Sequence, residues 1–287
     1  MKKTLIALAA VAVTSTAMAQ VTLSGTFNLD SQNTMAASQN NVGMGDIILK
    51  FAAAEDLGGG LKIAVNTTIQ GEGGRGGTTS GNGYGVSLSG GFGALSLNNY
   101  LNGNNLISAG VAVEDDMNDV IGSYTFRTRL QYTLPTFFPG FSASLRMDET
   151  KAGSAVTAAT DFVNTSTADV NYQLGYATGP FSINIYGAEV AGYTDMDASY
   201  DAGFAKFMIG SQDADSHNEF AIVAPIGANL SAGLHLINSD VTEAVGMRVT
   251  YALSKRTNVS FNYVDASKSA VSGKDGDNYR LRLQHTF

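Results

Sequence analysis

Residues Tyr279–Phe287 read YRLRLQHTF, with Tyr279, Leu281, Leu283 and Phe287 on odd positions and Arg280, Arg282, Gln284 and Thr286 between them. Side chains alternate across a strand, so the stretch has one apolar face and one polar, basic face. The pattern holds to the last residue, a large apolar ring, where a soluble domain ordinarily frays into polar residues. A strand kept intact to its tip predicts a sheet that leaves no loose edge.

The same alternation recurs upstream. In AVGMRVTYAL (244–253), Val245, Met247, Val249, Tyr251 and Leu253 share one face, with Gly246, Arg248, Thr250 and Ala252 on the other. TFRTRLQYTL (125–134) sets Phe126, Leu130, Tyr132 and Leu134 opposite Arg127, Arg129, Gln131 and Thr133. LKIAVNTTIQ (61–70) and LSAGLHLI (230–237) repeat the pattern. A helix would scatter these apolar residues around its circumference, whereas a strand collects them on one side. A β-sandwich turns such a face to its core, and a membrane barrel turns it to lipid around a wet interior. Periodicity alone does not separate the two.

Composition and the N-terminus favour the barrel. MKKTLIALAAVAVTSTAMAQ has Lys2 and Lys3, an apolar stretch from Leu5 to Val13, and a small-x-small AMA before Gln20. That is the form of a secretory signal peptide over residues 1–19, since its apolar run falls far short of the ~20 residues a spanning helix needs. Its removal leaves residues 20–287 as one domain with no further long apolar run, and takes the formal net charge from -8 to -10. So acidic a chain argues against nucleic acid and against polybasic docking to membranes. There is no cysteine, hence no disulfide, thiol catalysis or cysteine metal site. The 33 glycines, 14 phenylalanines and 12 tyrosines beside four prolines suit many short strands joined by turns.

Turn chemistry sets the count. Tight connections fall at Glu55–Gly60, Gly90–Ala94, Pro135–Gly140, Ala177–Pro180, Tyr200–Gly203, Pro225–Asn229 and Leu253–Thr257. Longer polar stretches lie between them, near 31–44, 71–82, 101–123, 149–168, 190–195, 211–217, 238–242 and 265–277. Short turns alternating with longer loops are the asymmetry of outer-membrane barrels. Seven turns and eight loops predict sixteen antiparallel strands, with fourteen as the alternative because the pattern is weakest over 190–212. The glycine-rich GEGGRGGTTSGNGYG (71–85) is not a phosphate loop, because no Lys-Ser/Thr pair and no helix follows it. It reads as a flexible outer loop.

Several segments resemble those of the Gram-negative general porins: EDLGGGLK (55–62), SLSGGFGALSL (87–97), YDAGFAKFMIG (200–210), YALSKRTNVSFNYV (251–264) and the ending YRLRLQHTF. The likeness runs in order over nearly the whole chain after residue 19. It implies a sixteen-stranded barrel that forms homotrimers in the outer membrane, a lumen open to water, and a third loop folded into each lumen. It also implies that Phe287 is read by the outer-membrane assembly machinery. The chain departs from the family in its short outer loops, in Asn98, Asn99 and Tyr100 where an arginine is usual, and in Ser24 where an aromatic is usual.

With the apolar rows on lipid, their neighbours line the channel. Lys50, Arg127, Arg129, Arg248 and Arg282 then fall near mid-height, and Lys62, Arg146, Lys206 and Arg280 nearer the ends. Some of these would pair with inward Asp46, Asp148 or Glu219. The third loop (101–123) carries Glu114, Asp115, Asp116 and Asp119 without a basic residue, beside an apolar stretch, Leu106–Val113, that needs burial. The family resemblance folds it inward and sets its acids opposite Lys50 and Arg282.

Catalysis finds little support. There are three histidines: His217 in an outer loop, His235 facing the lumen and His285 near the end, and neither H-E-x-x-H nor G-x-S-x-G occurs. A hydrolytic pair at the outer rim would have to come from Asp213, Asp215 and His217. The expected function is a general diffusion pore for ions and small hydrophilic solutes, with no cofactor. A substrate-specific channel is the alternative, and a barrel enzyme or adhesin is the third reading.

Overall fold

The computed structural model describes residues 20–34, 39–71, 79–102, 125–148, 169–188, 192–213 and 216–287. Sixteen strands follow one another along the chain. The first eight are β1 (Gln20–Thr34), β2 (Gln39–Gly58), β3 (Leu61–Gly71), β4 (Thr79–Gly90), β5 (Gly93–Asn102), β6 (Thr125–Thr133), β7 (Phe141–Asp148) and β8 (Asp169–Thr178). The rest are β9 (Phe181–Ala188), β10 (Thr194–Asp201), β11 (Lys206–Gln212), β12 (His217–Pro225), β13 (Leu230–Asn238), β14 (Glu243–Ala252), β15 (Thr257–Lys268) and β16 (Gly276–Thr286). Each pairs antiparallel with its sequence neighbours, and β1 pairs with β16, so the sheet is a closed barrel.

Closure answers the requirement that lipid places on the backbone. No water is available there to satisfy an exposed N–H or C=O, so a spanning sheet cannot keep an edge. The seam runs from Thr26↔Thr286 to Asn33↔Tyr279. Beyond its end, Phe287 and Gly25 exchange two backbone hydrogen bonds of 3.1 Å. The Phe287 ring stacks on Phe27 at 5.6 Å between centroids and lies over Gly25, where a Cβ would come within 2.5 Å of Phe287 Cζ. Gly25 is needed there because any side chain would displace the terminal ring.

The two faces part as the alternation requires. On β14, Val245, Met247, Val249 and Tyr251 are 40–48% exposed on the outside, while inward Ala244 is 3% exposed. Such outward rows run around the whole barrel, and aromatics gather at the rim of short turns, among them Phe92, Phe138, Phe181, Tyr200 and Phe204. A lipid-facing band ending in an aromatic girdle is what a bilayer and its interface select.

All seven tight turns fall between strands at the predicted places. Gly93 (φ 103°) starts β5 and Gly140 (φ 83°) immediately precedes β7, and a Cβ on either would strike the carbonyl oxygen of Thr133 or Ala177, respectively. No L side chain fits those positions. Several of the longer stretches are more strand than loop. β1 runs to Thr34 and β2 starts at Gln39, well inside the expected loop over 31–44. β4 starts at Thr79, β10 at Thr194 and β12 at His217, each also inside a stretch read as loop. Polarity misleads here because one face of every strand is wet, so polar residues such as Gln32 and Asn41 extend a strand rather than end it. Residues 103–123, which hold most of the third loop, lie outside the described residues.

Candidate channel lining

Register assigns the inward rows. Arg282 stands opposite Asp30 on β1 and Ser260 on β15, and Arg280 opposite Gln32 and Asn262. The row continues as Asn262↔Arg248↔Gly233 across β15, β14 and β13. On the far side of the barrel Gly85, Asn98, Arg129 and Asp148 stand abreast on β4 to β7. Charge on the lipid face is costly, and these rows hold Arg129, Arg248, Arg280 and Arg282 on the inside.

The cations differ in what holds them. Arg282 forks onto Asp30, Nε to Oδ1 and Nη2 to Oδ2, both at 2.8 Å. Arg129 does the same with Asp148 at 2.6 and 2.9 Å, and Asn171 Nδ2 donates to the same carboxylate at 3.1 Å. Planar bidentate pairing fixes each guanidinium and largely cancels its charge. Arg248 Nε donates to Thr250 Oγ1 and Arg280 Nε to Gln32 Oε1, each at 3.0 Å. The Arg146 guanidinium lies 5.6 Å from the centre of the Tyr186 ring. Lys50 is exposed between Ser24 and Thr68. Lys62 stands opposite Asp56, and Lys206 opposite Asp201. The backbone of Arg127 lies in β6 opposite Tyr100, its side chain outside the described residues. Glu114, Asp115, Asp116 and Asp119 lie outside them altogether.

Asp148 stood among the acids expected to pair; Asp30 did not. Its signal was present in VTLSGTFNLDSQ, whose even positions Thr22, Ser24, Thr26, Asn28, Asp30 and Gln32 form one polar row. Glu219 pairs with two histidines. Its Oε1 lies 2.7 Å from His217 Nε2 and its Oε2 3.1 Å from His235 Nε2, with all three side chains at most 4% exposed. Each contact places one hydrogen between an imidazole nitrogen and a carboxylate oxygen. His217 is therefore the first residue of β12 and faces inward, which corrects its assignment to an outer loop. Asp213 accepts from the Thr194 N–H at 2.8 Å and His217 Nε2 meets Glu219, while Asp215 lies outside the described residues. His285 hydrogen-bonds Thr257 through Nδ1 on the outer face. Among the described residues no cluster of His, Asp or Glu could hold a metal ion.

Around the triad the inner wall is apolar. Met208, Ala221, Ile237, Ala244, Val264 and Ala266 take inward positions on β11 to β15 and are at most 3% exposed. The opposite wall, with Asn66, Ser87, Ser96 and Asn98, is polar. The lumen thus has a dry patch on one wall and a wet wall facing it.

A closed sixteen-stranded barrel with lipid outside and charge inside matches a known family. Residues 4–287 fit the family model of the Gram-negative porins. The chain belongs to the Gram-negative porin family. It is an outer-membrane porin channel. No curated protein matches it. Among solved structures, the anion-selective porin of Comamonas acidovorans is 22% identical over 94% of this chain and all of that one, with a TM-score of 0.62. OmpF of Salmonella typhi is 12% identical over 93% and 97%, with a TM-score of 0.65. OmpT of Vibrio cholerae, in its trimer form, is 11% identical over 94% and 99%, with a TM-score of 0.59. At such identities the likeness speaks for the fold, and the porin's own residues must speak for its selectivity.

Proposed function

We propose that this porin is a general diffusion pore, passing ions and small hydrophilic solutes by size and charge and performing no catalysis. The observation that carries the reading is the chemistry of the wall. Its inward rows are short polar side chains and anchored arginines, and among the described side chains Tyr186 is the one phenylalanine or tyrosine ring on them. A solute-specific channel needs a track of surfaces to hold its solute, whereas scattered polar groups replace hydration for any of them. Liposome swelling with neutral sugars of increasing size tests this: the rate falls smoothly with size in a general pore. A saturable rate for one solute far above its size class would favour the specific channel.

The remaining parts follow from the same reading. Residues 1–19 serve as the export signal and are removed. Three copies assemble in the outer membrane, and the short-turn rim faces the periplasm with Phe287 as the signal read during assembly. The third loop folds inward, its Leu106–Val113 stretch covering the apolar patch around Ala221, Ile237 and Val264. That leaves Glu114, Asp115, Asp116 and Asp119 to face the lumen and the cations on the wet side. The buried apolar side chains of the covered patch support the docking, since an apolar patch has no reason to face open water. In the cysteine-free chain, Ala109→Cys with Ala221→Cys should form a disulfide. A pair that stays reduced under oxidation while Ala221→Cys reacts freely with a water-soluble thiol reagent places the loop elsewhere.

A further inference from the structure

A recess opens in the lumen wall where β1, β2 and β16 meet. It encloses about 410 Å³ and is lined by Asp30, Gln32, Gly43, Asp46, Arg280 and Arg282, among others. Its cause is local. The β1–β2 register shifts between Phe27 and Leu29, so β2 carries an irregularity in the stretch Gly43–Asp46. Two of those residues are glycines, and on Gly45 a Cβ would come within 2.5 Å of Asp30 Oδ2. Gly43 is different: a Cβ there would meet nothing within 4 Å, so its missing side chain is the floor of the recess.

The charges around it are set before any solute arrives. Arg282 is held in a fork by Asp30 and Arg280 by Gln32, all from neighbouring strands. Both guanidinia form one lip from β16, and Asp46 lines the recess from β2, on the other side of β1. The four charged groups sum to zero, so neither a simple anion nor a simple cation is favoured, while positive and negative ends are offered at separate places. The volume is at the small end of the ~300–1,000 Å³ found for small-molecule sites.

We propose that this recess is a weak binding subsite for small zwitterions of dipeptide size, with the solute carboxylate on the Arg280–Arg282 lip and its ammonium on Asp46. The inference rests on the chain being an open pore, and it names the solute class for which the pore has a resting place. Fixed arginines lose little freedom on binding, and both charges of the solute are satisfied at once.

The test uses three probes on purified porin: alanyl-alanine, its N-acetylated form (anion only) and its C-terminal amide (cation only). Alanyl-alanine should lower single-channel current saturably, and the singly charged forms should need at least tenfold higher concentration. Asp46→Asn and Gly43→Leu should each weaken the zwitterion about tenfold. Calorimetric titration of the same proteins reads binding whether or not they conduct. Conducting pores with equal response to all three probes, or an unchanged response in both variants, would overturn the subsite and leave the diffusion pore standing. Folded protein that does not conduct would overturn the pore instead. Should Gly43→Leu fail to fold, Asp46→Asn decides alone.

Discussion

Arg282 and Asp30 stand 252 positions apart in sequence and make the most constrained charge pair of the seam. Alternation assigns both to the lumen, but only barrel closure puts them side by side. Their pairing changes what Arg282 contributes: it anchors a neutral fork more than it supplies free positive charge. Replacing it by glutamine then leaves Asp30 unmatched in the lumen, a larger change than loss of one cation. We expect Lys50→Gln with Arg282→Gln to shift reversal potential under a salt gradient toward cations. Adding Asp30→Asn should bring it back most of the way. If the double variant matches wild type, these groups do not face the ion path; if the third change does nothing, the fork does not set the local charge. Glu219 gives the second prediction at this scale. With the carboxylate gone, two buried imidazole nitrogens lose their hydrogen-bond partner, at about 1–3 kcal/mol each. Glu219→Ala should therefore lower the urea midpoint of the folded barrel well beyond what Asn218→Ala does on the outer face. Equal midpoints would mean the triad is not closed in the working protein.

At the level of elements, β14 is the clearest case of a strand legible in sequence, and its two faces can be read chemically. Arg248→Cys and Thr250→Cys should react with a small hydrophilic thiol reagent entering through the pore, while Val249→Cys in lipid should not. Equal labelling of all three would refute a wet barrel with this register. The ends of strands were far less legible. β2 spans 20 residues, and its first part reads as loop because Asn40, Asn41, Gly43 and Gly45 have low strand propensity. In a barrel Asn41 pays no penalty for polarity on the wet face, so propensity loses to closure. His217 was misplaced for the same reason: an imidazole beside acidic residues looks solvated until its partner Glu219, two residues on along the same face, is recognised. The turns were read correctly because glycine and proline act locally.

For the whole molecule, sixteen strands and their order followed from alternation and turn spacing, while the dry wall inside the lumen did not. No local pattern marks Met208, Ala221 or Val264 as facing a covered patch, since each is one apolar residue among outward-facing ones of like kind. Closure yields a prediction of its own. The Phe287 ring has its seat only because Gly25 has no side chain, so Gly25→Val should lower outer-membrane levels as removal of Phe287 does. Normal yields of both variants would separate the terminal ring from assembly.

The central claim is that the barrel encloses a continuous aqueous path, and conductance tests it most directly. Purified protein added to a planar bilayer should produce discrete current steps of uniform size that scale with salt concentration, with weak preference for either ion sign. Folded, heat-resistant barrel that inserts but leaves the membrane insulating would contradict the account.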